Sequence, residues 1–143
     1  MAAYVGHNTL RDAVMGKGNR EEATPSQMQS MASLLGSELN SGAIGLSTGL
    51  EYEPGIYSSR AEVLLLAQQT AQRGGRYISH LRSEDRWFED SIEEIIEIGR
   101  VTGMPVQISH IKLAMKRLWG SAPVLLKQLD AARDEGIDIT ADN

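Results

Sequence analysis

The sequence contains no cysteine, which excludes disulfide bonds and thiolate metal ligands among its 143 residues. Long hydrophobic runs are missing too. The longest aliphatic run, residues 63–67, has 5 residues, whereas about 18 are needed to cross a bilayer. No basic segment followed by an apolar one opens the chain, so we expect no signal peptide. These absences predict a cytoplasmic protein that does not enter a membrane.

An excess of positive charge is also absent. The chain has 14 Lys and Arg residues against 19 Asp and Glu, which gives a net charge of −5. A protein that binds nucleic acid needs a basic face to displace counterions from the phosphates, and no such face is found. With 41% hydrophobic and 23% charged residues, the composition is that of an ordinary globular domain. We therefore expect a small molecule as the ligand, and no nucleic acid.

Short β-rich stretches alternate with amphipathic stretches of helical length. Strands are predicted to end near His7, Ser47, His80, His110 and Asp142, at steps of 40, 33, 30 and 32 residues. Residues 11–23 read as a polar loop, and the first of four predicted helices begins at Pro25, with Thr24 as its N-cap. Strands that alternate with helices imply right-handed crossovers and a parallel sheet.

This pattern is typical of an α/β fold built from repeated strand–helix units. Eight units of about 30 residues form a (β/α)₈ TIM-type barrel of about 250 residues. Five strands cannot close that barrel, so we expect residues 1–143 to be a single segment of one, incomplete at both ends. This central portion would hold about five parallel strands that alternate with four helices. An open, doubly wound sheet is the alternative topology.

Two of the three histidines stand in nearly the same context. Ile-Ser-His-Leu-Arg surrounds His80 and Ile-Ser-His-Ile-Lys surrounds His110, one strand–helix unit apart. In parallel α/β folds, ligands bind at the carboxyl ends of the strands, where both histidines are predicted. Neighbouring strands lie about 4.8 Å apart, so two imidazoles can reach one zinc ion through bonds of about 2.0–2.1 Å. The pattern therefore predicts His80 and His110 as metal ligands.

Four segments in order resemble a known family. They are residues 6–11 (Gly-His-Asn-Thr-Leu-Arg), 45–55 (Gly-Leu-Ser-Thr-Gly-Leu-Glu-Tyr-Glu-Pro-Gly), 79–84 (Ser-His-Leu-Arg-Ser-Glu) and 107–112 (Gln-Ile-Ser-His-Ile-Lys). Together they resemble the N-acyl-D-amino-acid deacylases, or D-aminoacylases, of the amidohydrolase superfamily. The resemblance implies zinc-dependent hydrolysis of the amide bond of an N-acyl-D-amino acid, which gives a carboxylate and a D-amino acid.

The resemblance also implies which site residues the chain holds. His80 and His110 match the histidines that bind the family's tightly held zinc. The family's cysteine ligand, His-x-His pair and metal-linked aspartate have no counterpart in this sequence, so we expect the chain to be inactive alone. Asp142 resembles the aspartate of the family's Ala-Asp-x-Tyr-Pro segment, which is not the catalytic one.

Four further residues are candidates for the site. The product amino acid carries a carboxylate, and Lys112, two residues past His110, is predicted to bind it. Arg82 holds the same position after His80 and is a second candidate, or pairs with a neighbour such as Glu84. Tyr52 is predicted to line the acyl pocket. His7 is predicted to have a supporting role behind the metal ligands or a structural one. The acidic residues of 84–97 are predicted to form a solvated helix face.

Two alternative functions remain open from the sequence. One is another amidohydrolase, such as a relative of dihydroorotase or hydantoinase. The other is a truncated barrel without catalytic activity. Because five strands leave two open sheet edges, self-association through those edges is also expected.

Overall fold

Five short strands and five helices build the chain in a computed structural model that describes residues 2–143. The strands are Val5–Gly6 (β1), Gly45–Gly49 (β2), Arg76–His80 (β3), Val106–Ile108 (β4) and Ile139–Ala141 (β5). The helices are His7–Met15 (α1), Pro25–Asn40 (α2), Arg60–Ala71 (α3), Phe88–Thr102 (α4) and Ala122–Asp134 (α5). Single 3₁₀ turns occupy Gly16–Gly18, Gly55–Tyr57 and Lys116–Leu118.

The strands form one parallel sheet in the order β1-β2-β3-β4-β5. Each strand therefore pairs with its neighbours in sequence, as in the wall of a barrel. This confirms the predicted α/β fold of a partial barrel. The carboxyl ends of all five strands lie at one edge of the sheet, where Gly6, Gly49 and His80 end the first three.

The core lies between the sheet and the helices. Leu46, Tyr77, Val106 and Ile139 lie opposite one another on successive strands and are buried. Helical side chains that are also buried pack against this face: Met31, Leu35, Leu66, Ile92 and Ile95.

Local signals explain where two helices begin. The Thr24 hydroxyl accepts a hydrogen bond from the Gln27 amide, and the Gln27 side chain accepts one from the Thr24 amide, which forms a capping box before Pro25. Helix α3 is capped by Ser59, whose hydroxyl accepts from the Glu62 amide. The preceding Ser58 hydroxyl does not cap the helix but donates to the Gly55 carbonyl.

Helix α1 is the main difference from the predicted arrangement. The segment predicted as a loop from residue 11 onward is helical as far as Met15. Its buried residues are His7, Leu10 and Arg11, so two of the three inward side chains are polar. Buried hydrogen bonds of His7 and Arg11 therefore help to hold this helix, together with the apolar packing of Leu10.

Close contacts with β2 fix strand β3 from its amino end at Arg76 as far as Ser79. A Cβ atom at Gly45 would lie 1.9 Å from the Arg76 carbonyl oxygen, so the two strands can approach this closely only with glycine there. The Thr48 hydroxyl lies 2.7 Å from the Tyr77 hydroxyl and 2.8 Å from that of Ser79. Burial raises the pKa of Tyr77 to about 12, so this network stays uncharged. These contacts fix the position of β3 and therefore that of His80 at its carboxyl end.

Candidate metal centre

The two predicted metal ligands meet at the carboxyl ends of adjacent strands. Strands β3 and β4 pair in parallel, and Nδ1 of His80 lies 2.9 Å from Nε2 of His110. The ring centroids are 4.6 Å apart, with one ring edge-on to the other. His80 is buried, whereas the His110 side chain is about half exposed, at 46%. The site is therefore buried on the side of His80 and open to solvent on the side of His110.

An unusual backbone conformation turns His110 toward His80. The φ of His110 is +39°, in the left-handed region that residues with a Cβ rarely adopt. The conformation is held by Asp142, whose Oδ1 accepts the His110 backbone amide at 2.6 Å while Oδ2 accepts from Gln107 at 2.8 Å. These hydrogen bonds lower the pKa of the Asp142 carboxyl. Asp142 therefore supports the site through the backbone of His110.

Two carboxylates flank the histidine pair, and the sequence reasoning did not assign either to the site. Oε2 of Glu51, on the loop after β2, lies 3.0 Å from Nε2 of His80. Oε1 of Glu84, on the loop after β3, lies 3.0 Å from Nδ1 of His110 and 3.7 Å from Nδ1 of His80. Glu84 is buried, although it was predicted to belong to a solvated acidic face.

This donor set suits a zinc ion. Ligand atoms from His80, Glu84 and His110 all lie within 4.8 Å of one another. Imidazole nitrogens and carboxylate oxygens are ordinary zinc ligands, and catalytic zinc sites commonly combine them. The arrangement can hold a divalent cation at the sheet edge, beside an open face where a small molecule can approach.

Lys112 and Tyr52 lie directly against the histidines. The Lys112 ammonium donates to Oε1 of Glu84 and lies 3.0 Å from Nδ1 of His110. The Tyr52 ring packs on His80 with centroids 4.5 Å apart, and its side chain is largely exposed. The structure thus brings two of the three predicted substrate-binding residues to the candidate site.

Arg82 points elsewhere. Its guanidinium makes two hydrogen bonds of 2.8 Å to the carboxylate of Glu94 on α4 and a third to the Ser58 carbonyl. The predicted role in substrate binding is therefore corrected, because the donors of this side chain are taken by a buried acid. Glu84, the neighbour suggested as its partner, pairs with Lys112 instead.

His7 also lies apart from the histidine pair, inside a buried polar cluster. Its Nε2 lies 2.7 Å from Oε1 of Glu62 on α3, and Arg11 donates to Oε2 of the same carboxylate at 2.5 Å. All three side chains are fully buried. Arg11 also bonds the carbonyls of Asn19 and Glu21, so the cluster ties the loop after α1 to α3. These contacts favour the structural role for His7.

Comparisons with known proteins show which enzymes the chain is similar to. No model of a known protein family matches the chain. The N-acyl-D-glutamate deacylase of Alcaligenes xylosoxydans xylosoxydans is 37% identical over 142 residues, which is 99% of this chain and 29% of the relative. The crystal structure of N-acyl-D-glutamate deacylase from Bordetella bronchiseptica, complexed with zinc and a phosphonate inhibitor, superposes with a TM-score of 0.93 at 38% identity. It covers 99% of this chain and 30% of that one.

The chain is homologous to the N-acyl-D-amino-acid deacylases. A D-aminoacylase structure described as defining a subset of the amidohydrolases agrees, with a TM-score of 0.91 and 38% identity over 97% of this chain and 29% of that one. The resemblance found in the sequence is thereby confirmed. The chain spans about 30% of the length of these deacylases.

A more distant structure shares the fold alone. The L-hydantoinase of Arthrobacter aurescens superposes with a TM-score of 0.54 at 15% identity. The alternative of a hydantoinase-like enzyme therefore has much less support than the deacylase homology. In residues 2–143, none of the helices has the length and apolar character needed to span a bilayer.

Proposed function

We propose that the chain supplies part of the active site of a zinc-dependent hydrolase. The enzyme would cleave the amide bond of N-acyl-D-amino acids to give a carboxylate and a D-amino acid. The observation that carries this proposal is the 2.9 Å approach of His80 and His110 at the carboxyl edge of a barrel-like sheet. Their two facing nitrogens would hold the ion, and Glu84 lies next to them. Zinc, when bound, polarises the substrate carbonyl and makes water a stronger acid.

The side chains around the pair have separate tasks in this proposal. Lys112 is the cation that would bind the α-carboxylate, because it stands next to His110 and is about half exposed. Tyr52 would line the acyl pocket above His80. The chain alone is proposed to be inactive, since the cysteine, His-x-His pair and aspartate implied by the resemblance are not in its sequence.

A chimera tests this function and the role of Lys112 together. Residues 2–143 would replace the matching segment of the Alcaligenes N-acyl-D-glutamate deacylase, and the product would be assayed on a panel of N-acetyl-D-amino acids. We expect zinc-dependent hydrolysis. Lys112→Met should keep the zinc but lower kcat/KM by roughly tenfold or more, because a charge-assisted hydrogen bond of about 1.5–3 kcal/mol is lost.

The control for this variant is Lys116→Met, an exposed lysine on the 3₁₀ turn that follows. It should leave kcat/KM unchanged. A chimera that holds zinc but hydrolyses none of the substrates would contradict the proposed function. Equal kcat/KM values for the two lysine variants would contradict the role of Lys112 only.

Self-association is a further proposal for the 143-residue chain. Strands β1 and β5 are the two edges of the sheet, and unpaired edges template association with another chain. Sedimentation velocity at micromolar concentration should therefore detect dimers or larger species. A monomer with a sharp, cooperative thermal transition would argue against it.

The cytoplasmic location, and the absence of nucleic-acid and membrane partners, are likewise proposed from the sequence.

A further inference from the structure

Each histidine of the pair turns one ring nitrogen to the other histidine and the second to a carboxylate. Nδ1 of His80 and Nε2 of His110 face each other at 2.9 Å. The remaining nitrogens lie 3.0 Å from Glu51 for His80 and 3.0 Å from Glu84 for His110. The two carboxylates are on different loops, and Glu51 also accepts the Glu84 backbone amide at 3.4 Å.

The chemistry of imidazole determines what this arrangement does. A neutral ring has one N–H group and one lone pair, and an ionised carboxylate can only accept hydrogen bonds. A carboxylate therefore favours the tautomer with the proton on the nitrogen that faces it and the lone pair on the opposite nitrogen. In the structure, one of the two facing nitrogens donates a hydrogen bond to the other across 2.9 Å, whereas a metal needs a lone pair on both, aimed at the same point. That arrangement is unfavourable without a cation between them and favourable with one.

Lys112 and Glu84 favour different tautomers of His110. Its ammonium lies 3.0 Å from Nδ1 of His110, so it could donate to a lone pair on that nitrogen. The ring proton would then sit on Nε2 and block the nitrogen that faces His80. Glu84 opposes this outcome because it accepts from the Lys112 ammonium and lies within hydrogen-bond distance of Nδ1 of His110.

We propose that Glu51 and Glu84 are positioning residues that fix the tautomers of His80 and His110 for metal binding. This inference rests on the proposed function, in which these histidines hold the metal. Carboxylate partners of metal-binding histidines orient the rings and raise their basicity, and losing one typically costs about 10–100-fold in metal affinity. Glu51 acts from the loop after β2, so this loop would raise the metal affinity as well as shape the substrate pocket.

The experiment uses the 143-residue chain labelled with ¹⁵N at histidine. Its three histidines give few signals, which the variants His80→Gln and His110→Gln assign to individual residues. Zinc is titrated in, and long-range ¹H–¹⁵N spectra report which nitrogen of each ring carries the proton. In the zinc-loaded chain we expect the proton on Nε2 of His80 and on Nδ1 of His110. The opposite tautomer on either ring would overturn the proposal. A proton on Nε2 of His110, for example, would mean that this ring binds zinc through Nδ1, next to Glu84 as a ligand.

The same titration gives the affinities of matched variants. Glu51→Gln and Glu84→Gln should each weaken zinc binding by about tenfold or more. Glu53→Gln is the control on the loop after β2, because Glu53 pairs with Arg20 and Tyr57 and not with a histidine. Glu89→Gln, exposed on α4, is the control for Glu84. Both controls should match the wild type.

Three results separate the possible failures. If Glu51→Gln and Glu84→Gln bind zinc as their controls do, the positioning role is overturned and the metal site stands. If the His80 and His110 signals of the wild type do not respond to zinc, the metal site itself is overturned, and the proposed function with it. The His7 signal, which comes from the buried cluster with Glu62, verifies that each variant is folded.

Discussion

Replacing either His80 or His110 by alanine is expected to abolish zinc binding by the chain. Each ring provides one of the two nitrogens that face each other at 2.9 Å, and a single imidazole with a neighbouring carboxylate cannot replace the pair. The loss should exceed the roughly 10–100-fold that the removal of an outer partner costs. Isothermal titration with zinc measures it.

Ser109→Ala is the control for this experiment. It lies between the end of β4 and His110 and removes only a hydroxyl group, so zinc affinity should stay at the wild-type value. In the deacylase chimera, the same histidine substitutions should remove zinc and activity together. If both alanine variants bound zinc as tightly as the wild type, the assignment of the metal centre would be wrong.

Glu62→Gln is expected to destabilise the fold by about 3–5 kcal/mol, the range found when one partner of a buried ion pair is removed. Glu62 accepts from both His7 and Arg11, and all three side chains are fully buried. The substitution leaves the Arg11 guanidinium without a charge partner in the core. Chemical denaturation should show the loss as a lower free energy of unfolding.

The matched control is Arg20→Ala, which removes the exposed ion pair between Arg20 and Glu53. Such surface pairs contribute about 0–1 kcal/mol, so its effect should be small. If Glu62→Gln were no more destabilising than Arg20→Ala, the cluster would not be the support for α1 that its burial indicates.

The same cluster predicts how stability depends on pH. Burial acts to raise the pKa of the Glu62 carboxyl, but hydrogen bonds and charge from His7 and Arg11 outweigh it and hold this pKa below the ordinary value of 4.5. The stabilisation is therefore fully present above the unfolded pKa and is lost as the pH falls through the lower, folded one. Acid unfolding of the wild type should be steeper in that range than that of Glu62→Gln.

The histidine pair could be predicted from the sequence because two signals agree. Both residues follow an Ile-Ser dipeptide at the end of a predicted strand, and parallel strands bring such positions to one edge. No comparable signal marks Glu51 or Glu84. Glu84 is the first of a run of acids that resembles a solvated surface. It is nevertheless buried and accepts a hydrogen bond from Lys112, 28 residues further along the chain. Which acid of such a run turns inward depends on a distant partner, and local periodicity holds no information about it.

Helix α1 was missed for a related reason. The buried side of α1 presents His7 and Arg11 beside Leu10, so the apolar spacing that reveals other helices is broken by polar residues. Glu62 on α3 makes their burial possible, because it balances the charge of Arg11 and lies at hydrogen-bond distance from His7. Sequence patterns detect apolar faces, and here a buried charge cluster replaces one.

The left-handed backbone at His110 sets a conflict between selection for stability and selection for function. Glycine or asparagine would adopt a φ of +39° at less cost than histidine does, so the chain gives up folding free energy to keep an imidazole at this position. In a population selected for stability alone, position 110 should drift toward those two residues. Asp142 would keep its hydrogen bond to the backbone amide at position 110, because glycine and asparagine carry the same amide group. Selection for the metal centre would therefore be visible at position 110 alone, and Asp142 would be retained for the backbone turn in either case.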